Sequence, residues 1–174
     1  MTLPNTTKLY IFCGIPFSGK TTLAKRITQI KGYTRINLDE IKFQLFGSSI
    51  KDEQLNQDNW DQIYHVMYQQ IQDTLQSNST VLHDTGNFTQ HERNLVRQIA
   101  QKLNIDAITI FVDTPINVAK QRLLQNRQNP QRFDVNDADF ISTIKEMEPP
   151  NQIEKHLIYQ HTQDMDTWIT RNIH

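Results

Sequence analysis

The chain has 174 residues, enough for one domain with a core that needs neither disulfides nor metals to hold it, and a single domain over residues 1–174 is expected. Its formal net charge of -1, with both signs interleaved along the length, argues against tight, sequence-blind binding of long nucleic acid. One cysteine, Cys13, rules out an internal disulfide; no apolar run near the start is long enough to span a membrane and no leader pattern precedes it, so a cytoplasmic protein without membrane association is expected.

Residues 8–13 form a short β-favouring run that stops at Gly14, and beyond Lys20 the residues Leu23, Ala24 and Ile27 fall at helical spacing. Residues 34–37 read as a second strand leading into a helix over 39–46, which Gly47 ends. Trp60, Ile63, Tyr64, Met67, Ile71 and Leu75 then recur every three or four residues, which predicts a long helix with that stripe toward the core. Residues 80–84 read as a third strand. Thr89 and Glu92 have capping-box spacing before a helix whose buried face is predicted to be Leu95, Val96, Ile99 and Leu103. Residues 107–113 read as a fourth strand, with Thr114 and Pro115 as N-cap and first-turn proline of the next helix.

The polar stretch 125–136, which contains Pro130, reads as a mobile surface connection. A helix with Phe140, Ile141, Ile144 and Met147 inward ends at Pro149 and Pro150; a strand over 156–159 and a helix carrying Met165, Trp168 and Ile169 complete the chain. Strands alternating with helices predict an α/β fold, a parallel sheet of about five strands with helices on both faces. Ligands of such sheets bind at the carboxyl ends of the strands.

Residues 14–21 match G-x-x-x-x-G-K-[ST], the phosphate-binding P-loop. Glycines there let backbone N–H groups turn toward phosphates, the helix N-terminus adds its positive end, the lysine reaches the terminal phosphates and the hydroxyl serves Mg²⁺. The expected nucleotide-binding set is Gly14, Pro16, Phe17, Ser18, Gly19, Lys20, Thr21 and Thr22, with ATP and Mg²⁺ bound. Chance produces this spacing in roughly one per cent or fewer of chains this long, and the flanking strand and helix reduce that further. No N-K-x-D segment occurs, which argues against a GTPase, and there is little room for the extra elements of motor-type ATPases. A kinase needs only the loop, an acid near the acceptor hydroxyl and an arginine-bearing lid. An ATPase coupled to a partner and a non-catalytic ATP-binding regulatory module are the alternatives.

Asp39, just past the second strand, is the expected catalytic base, although an aspartate there also suits a helix N-cap. Lys42 shares its helical face and is a candidate for holding the acceptor, as is Asn87 in its turn. Asp84, closing the third strand, is expected to support Mg²⁺ together with Thr21, while His83 points to the other face. Arg122, Arg127 and Arg132 surround the polar stretch 125–136 and suit a lid that balances charge on a transferring phosphoryl group; Arg127 is the first choice and Arg122 the second. Trp60 and Tyr64 could line an acceptor pocket, but their spacing favours the core, and Cys13 reads as a buried strand residue.

The loop at 14–21, with the segments 37–42, 81–88, 112–115 and 148–150, resembles the family of AAA-type "predicted kinases", P-loop phosphotransferases related to polynucleotide kinase, zeta toxin and chloramphenicol phosphotransferase. The resemblance runs through about the first 150 residues. It implies an adenylate-kinase-like core, ATP as donor, and an acidic base after the second strand, which falls on Asp39. Polynucleotide kinases carry an arginine three positions later, where this chain has Lys42, and lysine lacks the fork that grips a phosphate through two bonds. A small-molecule hydroxyl is therefore the favoured acceptor and a polynucleotide 5′ end the less favoured one.

Overall fold

Strand β1 (Lys8–Cys13) is apolar on both faces: Leu9 and Ile11 point to one side of the sheet and Tyr10 and Phe12 to the other, all essentially without solvent exposure. Such a strand belongs in the middle of a parallel sheet. In the computed structural model, which describes residues 6–174, β1 lies between β3 (Val81–His83) and β4 (Asp106–Asp113). β2 (Thr34–Ile36) adds beyond β3 and β5 (His156–Gln160) beyond β4, so the order is β2-β3-β1-β4-β5 with every pair parallel. The predicted fold class is the observed one.

Helices α1 (Lys20–Lys31) and α7 (Met165–Asn172) bury Leu23, Ala24, Ile27, Trp168 and Ile169 on the Tyr10 and Phe12 face. Helices α2 (Leu38–Phe46), α3 (Gln57–Gln76) and α4 (Gln90–Lys102) cover the Leu9 and Ile11 face. Helices α5 (Ile116–Gln128) and α6 (Asp137–Glu146) form a third cluster in which Ala119, Leu123 and Phe140 pack on Ile15 and Phe17 of the loop after β1. No helix of the described residues is long and apolar enough to cross a membrane.

Several local expectations change. The core stripe of α3 is Ile63, Met67, Ile71 and Leu75; Tyr64, predicted inward, is exposed and borders a cleft. Ile141 of α6 is likewise exposed, leaving Phe140 as that helix's buried residue. Pro115 itself occupies the N-cap of α5, because the Thr114 hydroxyl is engaged elsewhere, donating to the Ser18 carbonyl at 2.8 Å. Helix α5 also runs through Gln128, so the first part of the expected mobile segment is helical.

The largest departure is α4, which buries Arg93, Val96 and Ala100, while Leu95 is exposed. Arg93 is fully buried because a carboxylate meets it: its Nε and Nη2 donate to Glu154 at 2.9 and 2.7 Å, and its Nη1 donates to the Asn87 carbonyl at 3.0 Å. Arg97 adds a second guanidinium to Glu154 at 2.8 Å. Losing one member strands the other's charge out of water. Glu154→Ala is expected to destabilise the fold by about 3–5 kcal/mol in urea unfolding, and the double variant Arg93→Met/Glu154→Leu to recover much of that loss.

Candidate active site

The turn from β1 into α1 is shaped around a small concavity. A Cβ on Gly14, whose φ is +151°, would lie 2.9 Å from the Val112 carbonyl oxygen and 3.0 Å from Ser18 Oγ, so only glycine fits there. Phe17 is held in the left-handed region at φ 62°, its ring buried against α5 and α6. Arg122 secures the outer side of the loop, donating from Nη1 to the carbonyls of Phe17 at 3.1 Å and Ser18 at 2.8 Å. Inside the loop, Ser18 Oγ is the one buried side-chain polar atom among the described residues without a hydrogen-bond partner. An unmatched hydroxyl between turned backbone amides suits a phosphate ligand.

Lys20 folds back across this concavity, its Nζ donating to the carbonyls of Gly14 at 2.6 Å and Ile15 at 2.9 Å. Burial pushes the ammonium down to about 8, against the pull of the Asp84 charge. Thr21, the next residue of α1, donates from Oγ1 to Asp84 Oδ1 at 3.2 Å. Asp84 is 1% exposed, and its other oxygen accepts from Arg35 Nε at 2.7 Å. Mg²⁺ in phosphate sites keeps most of its waters and takes only one or two carboxylates. A hydroxyl and a carboxylate beside the loop suit it, even though no group of three metal-ligating residues exists among the described residues.

Asn37 links this carboxylate to the opposite wall. Its Nδ2 donates to the Asp84 carbonyl at 2.6 Å, while its Oδ1 accepts from Glu40 N and caps α2. Asp39 therefore stands in the first turn without being the cap, with an exposed side chain 3.2 Å from Lys42 Nζ. Lys42 is buried, donates to Asp52 at 2.7 Å, and lies 4.9 Å from the ring centre of Phe43 and 5.9 Å from that of Trp60. Burial opposes its charge, but Asp52 and Asp39 outweigh that and raise its pKa. Asn87 borders the cleft, and its Nδ2 is engaged, donating to the Phe12 carbonyl at 2.8 Å and lying 3.2 Å from His83 Nδ1. His83 is a packed residue whose imidazole is pushed by burial down to about 3.

The three arginines separate. Arg127 reaches Asp134 at 3.0 Å, Asp137 at 2.9 Å and the Val135 carbonyl at 2.8 Å, away from the loop. Arg122 is the loop's outer support. Arg132 stands over the Phe17 ring, 4.2 Å from its centre, and borders the cleft. Asn126, buried at the end of α5, presents it: the amide oxygen accepts from the backbone N–H groups of Gln131 and Arg132 at 3.0 and 3.1 Å, and Nδ2 donates to the Arg132 carbonyl at 2.9 Å. Sequence reasoning missed both Arg35 and Asn126. Arg35 had only its place on the second strand as a signal, and Asn126 had none within a polar stretch.

Pro16, Phe17, Gly19, Lys20, Thr21 and Thr22 thus share one cleft of about 1490 Å³ with Asp39, Lys42, Asp84 and Arg132, while Gly14 and Ser18 lie behind its surface. A phosphate loop at the carboxyl edge of such a sheet, covered by a helical lid, defines a P-loop protein of kinase-like architecture. Residues 9–150 match the AAA_33 family, described as an AAA domain, and the chain belongs to it. A protein of Autographa californica nuclear polyhedrosis virus described as a bifunctional polynucleotide kinase/RNA ligase is 25% identical over 161 residues, covering 87% of this chain; the chain spans 22% of that relative's length. A Chloroflexus aurantiacus protein described as a kinase has a similar structure, with a TM-score of 0.75, 18% identity, and coverage of 97% of this chain and 96% of that one. The Mycobacterium tuberculosis APS kinase in complex with AMPPNP and APS gives a TM-score of 0.67 at 16% identity, covering 96% of this chain and 95% of that one.

The lowered Lys20 value has a measurable sign. Lysine in the unfolded chain titrates near 10.5 and Lys20 in the fold near 8, so between these values the unfolded state binds the extra proton and stability rises with pH. Relative to Lys20→Met, the wild type is expected to gain on the order of 2 kcal/mol in urea unfolding from pH 8 to 10.5. A constant difference across that window would show that the ammonium is solvated.

Proposed function

We propose that this chain is an ATP-dependent phosphotransferase, a kinase that acts in the cytoplasm as a single domain and transfers the γ-phosphate of ATP to a hydroxyl of a small molecule. The observation that carries this reading is the placement of Asp39 on one wall of the cleft and of Lys20 with the Thr21–Asp84 pair on the other. Two substrates can then meet between a phosphate cradle and a carboxylate. The kinase-like fold and the AMPPNP held by a structural neighbour support the choice of donor.

In this reading the acceptor oxygen attacks the γ-phosphorus as the bond to the β,γ-bridging oxygen breaks, ADP leaves, and the hydroxyl proton passes to the Asp39 carboxylate. Lys20 exchanges its loop carbonyls for phosphate oxygens, and the buried Ser18 hydroxyl gains a partner. Thr21 would hold Mg²⁺ and Asp84 would support its waters, and the ion when bound would supply positive charge against the phosphate oxygens. Arg132, not Arg127, is the lid arginine that balances charge on the transferring group, because its guanidinium already borders the cleft. Asn126 is the residue that sets the Arg132 backbone.

Labelled phosphate recovered on an acceptor tests the reading, whereas ADP release that no acceptor alters would favour the coupled ATPase. Asp39→Asn is expected to lower transfer about 10²–10⁴-fold with ATP affinity nearly intact; unchanged turnover would remove Asp39 from the mechanism. Arg132→Ala is expected to cost about 10²–10³ in kcat, and Arg127→Ala, which breaks an exposed ion pair, only a few-fold. Equal losses would mean that the lid acts as a unit rather than through Arg132.

A further inference from the structure

The cleft is bipolar. Its phosphate end is bordered by Lys20, Lys25, Arg26 and Arg132 and by the carboxylates of Asp84, Asp134 and Asp139; Arg26 is paired with Asp166, Asp84 with Arg35 and Asp134 with Arg127, which leaves Lys20, Lys25 and Arg132 as the cations of that end. The wall that faces them comes from α2, the 3₁₀ turn Asp52–Gln54, α3 and α4, and presents Asp39, Asp52, Glu53, Asp61 and Glu92 against Lys42 and Lys51. Both lysines are engaged, Lys42 with Asp39 and Asp52, and Lys51 at 4.0 Å from Glu53. A formal excess of three negative charges remains on that wall.

The same wall is aromatic. Trp60, Tyr64 and Tyr68 recur every fourth residue along α3, with ring centres 6.4 and 6.0 Å apart, and the two tyrosines border the cleft. Burial raises the Tyr64 phenol, and the charges of Glu92, Asp39 and Asp52 raise it further. Asp39 also acts electrostatically on Lys20 and Arg132, so it stands at the junction of the basic and acidic halves. Ring faces and carboxylates attract the same partner, a cation. Phosphodiesters would meet like charge there.

We infer that the α2–α3 wall is the acceptor subsite and that it selects a hydroxyl compound carrying a protonated amine, such as an amino sugar, over a neutral alcohol or a polynucleotide 5′ end. The inference rests on the phosphotransfer reading above. The ammonium sits against Tyr64 and Tyr68 with Glu92 beside it and takes no part in bond making. The hydroxyl oxygen bonds to phosphorus, ADP departs, and the hydroxyl proton goes to Asp39.

The test measures transfer of labelled phosphate from Mg-ATP to glucosamine, N-acetylglucosamine, glucose, kanamycin and a 5′-hydroxyl oligonucleotide, with Mg-ATP binding followed separately by calorimetry. An amine-bearing acceptor is expected to be used with kcat/KM about tenfold or more above its uncharged counterpart. Glu92→Gln, which keeps the Thr89 capping box, should raise the amine KM roughly three- to fivefold and leave the ATP KM unchanged. Tyr64→Leu should raise the amine KM similarly. Equal use of N-acetylglucosamine and glucosamine, preferred use of the oligonucleotide, or no transfer to any amine while Mg-ATP still binds would each overturn the amine subsite. Transfer to another acceptor in those cases would leave the kinase reading standing. Failure to bind Mg-ATP would overturn both.

Discussion

The arrangement of the site depends on one buried carboxylate. Asp84 at the end of β3 has almost no solvent and must be compensated inside the protein. Arg35 supplies the charge from the neighbouring strand, and Thr21 and Asn37 supply hydrogen bonds from α1 and from the start of α2. The parallel pairing of β2 with β3 is what brings Arg35 and Asn37 to that carboxylate. Because Asn37 both caps α2 and holds the Asp84 backbone, the wall that carries Asp39 is tied to the wall that carries the phosphate loop. Arg35 makes a second tie, donating to Asp84 at 2.7 Å and to Glu40 of α2 at 2.8 Å.

The lid follows similar economics of charge and solvent. Arg127 lies at an exposed surface with two aspartates beside it, so its guanidinium is satisfied locally and has no reason to reach the loop. Among the described residues Arg132 has no paired carboxylate; burial disfavours its charge while Asp39 and Asp84 favour it across the cleft. The buried Asn126 amide fixes the backbone that carries it, and the stacked rings of Phe43 and Phe133, 4.5 Å apart, join this segment to α2. The segment that carries Arg132 and the helix that carries Asp39 are thus in contact at the cleft.

What the sequence disclosed and what it concealed divide along the distance between interacting partners. The strand, phosphate loop and helix over residues 8–31 rest on local spacing and glycine geometry, and their order was readable. The five strands were readable too, since apolar runs alternate with helical periods. The inward face of α4 was readable only in part: Val96 is buried and Ile99 and Leu103 pack against the core, but Leu95 is exposed, and Arg93 is a core residue because of Glu154, 61 positions away. Likewise Tyr64 fits a helical apolar stripe as well as Met67 does, and only the placement of α2 and α4 decides which of them meets the cleft. Which arginine borders the cleft was not readable either, since Arg127 is held by Asp134 and Asp137, whose reach depends on how residues 129–136 fold back.

Lys42 shows how a conservative-looking difference alters what a site can hold. An arginine there could offer a planar fork to a phosphate. The ammonium of Lys42 is instead compact enough to sit beside the Phe43 and Trp60 rings while contacting Asp39 and Asp52 together. Its charge is consumed in place by Asp39 and Asp52. Asp39 also gains from the arrangement: the neighbouring ammonium helps fix the helix face on which it stands, while its carboxylate stays open to the cleft. The cleft thus runs from an end with Lys20, Lys25 and Arg132 to a wall with an excess of carboxylates, and Asp39 acts electrostatically on Lys20 and Arg132 across it.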